Sequence, residues 1–380
     1  MTSVIANTTE QRQAAHAILT KIIADGGLRA AQGLEALQEE YRLRQDLRVR
    51  PTAIDIDMEK TEGGQFVWRP AVIDSRKGTR TALGVTTHAR AQLLSRAGIP
   101  ATFANTLAEH DLGELLRENL KNLLPKVSPD TMLVRTVNGT AKAFLSSSYR
   151  CLDNAILFES YVEQAMAAKL VPYRGDVSDT RAFLSFLRPE IVELTPGEFV
   201  VFGVEMRGSD YGRGAQELNT MILRLLCLNG AVGFDLFRKV HIGRRFDASQ
   251  LGDDNVIQVS HKTLALDTAT VRSALTDTMR GVTKQLDAMA ETMRDQASDD
   301  VNVPATLATL KKKGFKAEVV KKVQATYENE ALPVEVLPQS PGAWRLSNAI
   351  SLLANSARDT DEAADLRDAA FQVLNLKAAA

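Results

Sequence analysis

Over the first fifty residues the apolar positions Ala14, Ile18, Ile22, Leu34, Leu37 and Tyr41 recur at helical spacing. The Gly26-Gly27 pair interrupts the series, so it predicts two amphipathic helices, an arm fit to pack on a neighbour. Short extended runs at 54–58 and 66–68, with Gly63-Gly64 between them, predict a hairpin. Thr86 or Thr87 caps a helix that reaches Arg96 and ends at Gly98-Ile99-Pro100, and a further helix over 112–124 stops before Pro125.

The plainest local pattern comes next in the chain. Two alternating runs, 132–137 and 140–145, flank Asn138-Gly139. Asn-Gly supplies both positive-φ residues of a type I′ turn, whose twist matches paired strands. A helix over 153–169 and strands over 181–187 and 199–207 succeed it, and the strands join the hairpin in one antiparallel sheet. Residues 218–228 carry Met221, Ile222, Leu223, Leu225, Leu226 and Cys227, and read as a buried helix closed by Asn229-Gly230. From 265 to 293 the pattern is helical. Lysine-rich short helices then meet at Gly314, prolines 333, 338 and 341 form a linker, and a helical pair over 344–376 divides near 359–361. The fold class is α+β: a helical N-terminal arm over 1–50, an α+β core domain over 51–264 with a central antiparallel sheet and a β-hairpin packed on helices, and a helical C-terminal region over 265–380.

Composition places the 380-residue chain among globular proteins, with 44% apolar and 24% charged residues. The formal net charge of -1 provides no global field for a polyanion, so such a site has to be a local concentration of Arg and Lys. Cys151 and Cys227 stand far apart, which argues against a disulfide framework or a zinc ribbon and predicts buried thiols in a reducing cytoplasm. The polar N-terminus and the lack of any run approaching roughly 20 apolar residues argue against secretion and membrane insertion.

Enzyme chemistry finds little support in the residue pattern. His16, His88, His110, His241 and His261 include no pair at i and i+4 for a metal, no Gly-rich loop precedes a helix to cradle a nucleotide, and Ser146-Ser147-Ser148 lacks the glycines of a nucleophile elbow. No cofactor is expected. Cations offer more. Arg135 and Lys142 sit on opposite arms of the Asn-Gly hairpin, with Tyr149-Arg150 after it, a combination that suits a phosphate backbone and a stacked base; the same cations also suit a solvated face that discourages edge pairing. Arg207, Arg213, Arg238, Lys239, Arg244 and Arg245 form a second set beside the glycine-containing loop 209–214, which is equally an ordinary turn. The lysines over 311–322 read as a solvated helix surface. Asp153, Glu159 and Glu163 are the nearest carboxylates for a metal nuclease, and their spacing fits a solvated face as well.

Three segments, 145–150 with Leu152-Asp153-Asn154, 223–230, and 344–350, together resemble a family of phage- and plasmid-related proteins grouped as domain of unknown function 932. The resemblance covers roughly 83–374, with Ala343 and Ser351 where that family often has threonine. It implies DNA metabolism near recombination genes. The order of hairpin, strands and buried helix is also similar to the core of phage single-strand annealing proteins, an analogy at the level of fold. The resemblance leads to the expectation of an oligomeric, cytoplasmic protein of the host cell, a ring or filament that binds and anneals single-stranded DNA without ATP or metal. In it Arg135, Lys142, Arg150, Arg207, Arg213, Lys239, Arg244 and Arg245 contact phosphates, and Tyr149 stacks. The alternative is a mobile-element protein that binds or blocks a host factor through its helical ends and does not bind DNA.

Overall fold

The computed structural model describes residues 8–375 apart from 61–65, 75–76, 129, 227–229, 240–255, 260 and 297–299. In chain order, α1 (Thr8–Leu43) leads into β1 (Arg44–Val49), β2 (Ile54–Lys60), β3 (Phe66–Asp74), β4 (Thr79–Ala82) and β5 (Gly84–Val85). Helices α2 (Thr87–Arg96), α3 (Ala101–Glu109) and α4 (Gly113–Val127) precede the hairpin of β6 (Met132–Val137) and β7 (Thr140–Leu145). After α5 (Asn154–Ala167) come β8 (Val171–Val177), β9 (Ala182–Leu187), β10 (Val192–Glu193), β11 (Phe199–Gly208), β12 (Gln216–Arg224), β13 (Gly230–Lys239) and β14 (Val256–Val259). The C-terminal part holds α6 (His261–Arg280), α7 (Val282–Gln296), α8 (Val303–Lys312), α9 (Ala317–Glu328), α10 (Ala343–Ala354) and α11 (Thr360–Asn375). The architecture is mixed α+β, as the sequence pattern predicts.

Asn138 and Gly139 take φ of 47° and 74°, the left-handed pair that the Asn-Gly turn requires. The hairpin belongs to a five-stranded sheet in the order β14-β1-β6-β7-β5, in which only β5 runs parallel to its neighbour. The expected single sheet is therefore two, because β9 and β11 pair antiparallel in a separate six-stranded sheet, β13-β12-β11-β9-β8 with β10 on β11. A third sheet, β2-β3-β4, contains the expected early hairpin, whose Gly63-Gly64 turn lies outside the described residues.

Residues 218–224, expected within a buried helix over 218–228, belong to β12 instead. Every one of its nine residues is buried. Leu218 and Ile222 face a core shared with Phe158 of α5, Leu275 of α6 and Leu346 of α10. Met221 and Leu223 face a second core with Ala15, Leu19 and Ile22 of α1. A strand covered on both faces has no polar side to alternate with, so its sequence is a continuous apolar run that periodicity cannot tell from a buried helix.

The arm also differs. One helix runs 36 residues through Gly26-Gly27 and lies along β8 of its own chain. A Cβ on Gly26 would collide with the Pro172 carbonyl, and one on Gly175 would stand 2.7 Å from the Arg29 carbonyl oxygen. These glycines let a helix and a strand approach backbone to backbone, a packing role that outweighs the weak helix propensity of glycine. Helix α4 continues through Pro125 to Val127, giving up one intrahelical hydrogen bond near its end. The helix expected over 265–293 is two, parted at Gly281.

Candidate nucleic-acid interface

The residues named from the sequence separate into three groups. Arg135 is fully buried. Its Nε donates to Asp46 Oδ1 at 2.9 Å, one terminal nitrogen donates to Asp46 Oδ2 at 3.0 Å and Asp153 Oδ1 at 2.8 Å, and the other donates to the Asp210 carbonyl oxygen at 2.9 Å. Arg44 completes the group, 2.7 Å from Asp153 and 3.0 Å from Asp210. Two cations and three carboxylates thus meet out of water where β1, β6, the segment before α5 and the β11–β12 loop converge. Burial acts to raise the Asp153 carboxyl, but Arg44 and Arg135 outweigh it and hold it below the ordinary range. Burial dominates at Asp210, pushed up to about 6 although the same arginines pull it down. Such a cluster fixes geometry, since removing any one member strands a buried charge.

Tyr149 borders this joint. It is 8% exposed, and its hydroxyl donates to the Ser209 carbonyl at 3.1 Å. Neither Arg135 nor Tyr149 is open to a strand of DNA. Lys142 lies 3.0 Å from Asp179 and 3.5 Å from Glu40, and Arg150 is half-buried in the segment after β7. Among the carboxylates weighed for a metal, Asp153 is buried in the ion cluster while Glu159 and Glu163 are exposed. Among the described residues no group of three or more His, Cys, Asp or Glu could hold a metal, and no helix is long and apolar enough to cross a membrane. Cys151 is buried, its thiol pushed up to about 12 by desolvation. Arg244, Arg245 and Cys227 lie outside the described residues; Lys239 ends β13, in register with Gln216.

Arg207 and Arg213 do come together, with Arg238 of the same cationic set and with Arg181, which the sequence did not single out. A cleft of about 250 Å³ opens at the end of β11, lined by Arg181, Arg207, Arg213 and Arg238. The 209–214 loop forms one wall, and Ser209 organises it. Its hydroxyl donates to the Thr180 carbonyl at 2.6 Å and accepts from the Tyr211 and Arg213 amides at 3.1 and 2.9 Å. Gly212 turns the loop at φ 78°, where a side chain would also strike Leu145. Arg181 donates from Nε to the Arg213 carbonyl at 3.3 Å and pairs with Asp365 at 3.1 Å.

Carboxylates hold three of the four arginines of the cleft. Arg207 lies between Glu217 and Asp368, at 2.6 Å from each, and Arg238 reaches Glu217 at 3.4 Å. Arg213 is exposed, and its guanidinium meets no carboxylate among the described residues. Four arginines face Glu217, Asp365 and Asp368 in the lining and Asp361, 4.0 Å from Arg181, so formal charges balance and Arg213 is the arginine of the cleft held by no carboxylate among the described residues. Burial pushes Asp368 up to about 6, against the pull of Arg207. The arrangement can accept an anion of phosphate size on a rigid loop. Arg181 and Arg238 are separated in sequence by 57 positions, and only the pairing of β9, β11, β12 and β13 brings them together. The chain matches no family model, no curated protein and no solved structure.

Proposed function

We propose that this protein binds single-stranded DNA through its phosphodiester backbone at the arginine cleft, and that identical subunits anneal complementary strands without ATP or metal. The convergence of Arg181, Arg207, Arg213 and Arg238 from four segments on one cleft supports the binding half of this reading. Annealing and self-assembly rest on the sequence resemblance alone. Gripping the backbone leaves base edges open to a second strand, as annealing demands. The reading is narrower than the sequence expectation, since Arg135 and Tyr149 now belong to the fold.

Fluorescence anisotropy of a labelled oligo-dT, titrated across salt concentrations, tests it. Affinity has to fall linearly on a log–log plot, and the paired change Arg213→Ala, Arg238→Ala has to weaken binding and flatten the slope by about 1.4 units, for two phosphate contacts at about 0.7 each. No binding at low salt by the unaltered protein sinks the reading.

A second reading, an interaction protein of a mobile element that binds or blocks a host factor, draws on a different observation. Arg135, Lys142 and Arg207 are each held against carboxylates. Under that reading the unaltered chain shows no salt-dependent affinity for any oligonucleotide.

A further inference from the structure

One side of α1 borders a hollow of a different character from the arginine cleft. Ile18, Lys21, Ile22, Asp25 and Arg29 recur at i, i+3, i+4, i+7 and i+11, so they share one face of the helix over about 16 Å of its axis. That face, Tyr173 of β8 and Leu226 after β12 line a cavity of about 500 Å³, inside the range of roughly 300–1,000 Å³ that small-molecule sites occupy. Ile18, Ile22, Leu226 and the Tyr173 ring supply an apolar wall. The wall is fixed where α1 meets β8: a Cβ on Gly26 would stand 2.1 Å from the Pro172 carbonyl oxygen and 3.0 Å from the Tyr173 Cα, which sets Tyr173 beside the turn from Asp25 to Arg29.

Cations stand around this wall without partners. Lys21 and Arg29 are exposed and Arg367 of α11 is half-buried, and none of the three side chains makes a hydrogen bond or ion pair among the described residues. The Tyr173 hydroxyl has no hydrogen-bond partner among them either. Burial raises that hydroxyl above its ordinary range, against the pull of Arg367, Arg174 and Arg29, and burial pulls the Arg367 guanidinium down. The nearby carboxylates are Asp25, Asp176 and Glu205; Asp176 pairs with Arg174, and Glu205 accepts from the Ser185 hydroxyl at 2.9 Å. Lys21, Arg29, Arg174 and Arg367 outnumber these three acids by one positive charge.

We infer that the hollow between α1 and β8 binds a small amphipathic monoanion, a medium-chain carboxylate, with its chain along Ile18, Ile22 and Leu226 and its head at the Tyr173 hydroxyl and Arg29. The apolar wall rewards each methylene taken from water, and the free guanidinium and hydroxyl give the head donors that no protein group already uses. Arg367 adds to the field at the head, and Asp25 on the same helix face limits the site to one negative charge. The inference goes beyond the nucleic-acid reading and does not rest on it, since none of the four arginines of the cleft lines this hollow.

Isothermal titration of the full chain with decanoate, octanoate and decyltrimethylammonium tests it. Decanoate saturates one site, and octanoate binds about tenfold more weakly because two methylenes no longer lie on the apolar wall. Decyltrimethylammonium, with the same chain and the opposite head, does not saturate. The paired change Lys21→Ala, Arg29→Ala weakens decanoate about tenfold through loss of charged donors to the head, whereas Asp25→Asn strengthens it several-fold. Thermal midpoints show that each variant remains folded; should the paired variant unfold, Tyr173→Phe removes the hydroxyl at nearly constant volume and weakens decanoate several-fold. The absence of saturable decanoate binding, equal binding of the cationic amphiphile, or an affinity unmoved in all of these variants overturns the inference. Decanoate binding by a chain that fails to bind oligo-dT upholds the hollow and removes only the nucleic-acid reading.

Discussion

Arg135→Ala separates a structural role from a DNA contact. The side chain makes four hydrogen bonds, three of them to carboxylate oxygens of Asp46 and Asp153 and one to the Asp210 carbonyl. Truncation leaves Asp46, Asp153 and Asp210 with Arg44 as the remaining cation of the cluster, and breaking a buried ion pair from one side costs about 3–5 kcal/mol. With a urea slope of about 3 kcal/mol per M, reasonable for a chain of this size, the denaturation midpoint falls by about 1–1.7 M. Arg135→Lys recovers little of that, because one ammonium cannot span Asp46 and Asp153 as the planar fork does. The assay is urea unfolding followed by circular dichroism, in parallel with oligonucleotide titration well below the midpoint. A variant that keeps the original midpoint yet loses DNA affinity would falsify the argument, for Arg135 would then be a ligand contact that the fold does not need.

Other sites make predictions of their own. With Asp368 at about 6, oligo-dT affinity rises as pH falls from 7.5 to 5.5, since protonation removes a competitor for Arg207, and Asp368→Asn flattens this dependence; an unchanged profile in that variant places the titrating group elsewhere. For folding the sign is fixed by the same shift: the folded pKa lies above the unfolded 3.8, so the contribution of Asp368 is fully present below about pH 4 and is lost as pH rises through about 6. Gly26→Ala destabilises by about 1–3 kcal/mol through overpacking on β8, whereas Gly27→Ala, with open space around its Cβ position, stabilises by up to about 1 kcal/mol; equal effects in thermal melts refute the seam as described. In a Cys227→Ser background the Cys151 thiol stays unreactive to a thiol reagent until the protein unfolds, because burial keeps it protonated.

Local chemistry was legible in the sequence wherever it acts alone. Asn138-Gly139 dictates its turn, Thr86 caps α2 by accepting from the Ala89 amide, and Gly314 ends the short lysine-rich helix where expected. What depends on remote partners was not legible. The run through Met221 and Leu223 signals burial but not that α1 covers one face while α5 and α10 cover the other. Gly26 looks like a break until Pro172 is beside it. Arg135 and Lys142 satisfy the same sequence rule for a cationic hairpin, yet the side chain of Arg135 lies among Asp46 and Asp153 and that of Lys142 lies 17% exposed between Glu40 and Asp179. Charge type was visible in the sequence; the counter-charges, up to 184 positions away, were not.

The separation of Arg44 from Asp210 by 166 residues also bears on biosynthesis. At about 5–20 residues per second, the ribosome releases Asp210 about 10–30 s after Arg44. Asp46 and Asp153 emerge earlier, but until Asp210 follows, Arg44 lacks its second carboxylate and Arg135 the Asp210 carbonyl, so the cluster at the ends of β1 and β6 stays incomplete. The first sheet waits on the second, and a nascent chain stalled before the β11–β12 loop presents an unfinished surface to chaperones and proteases.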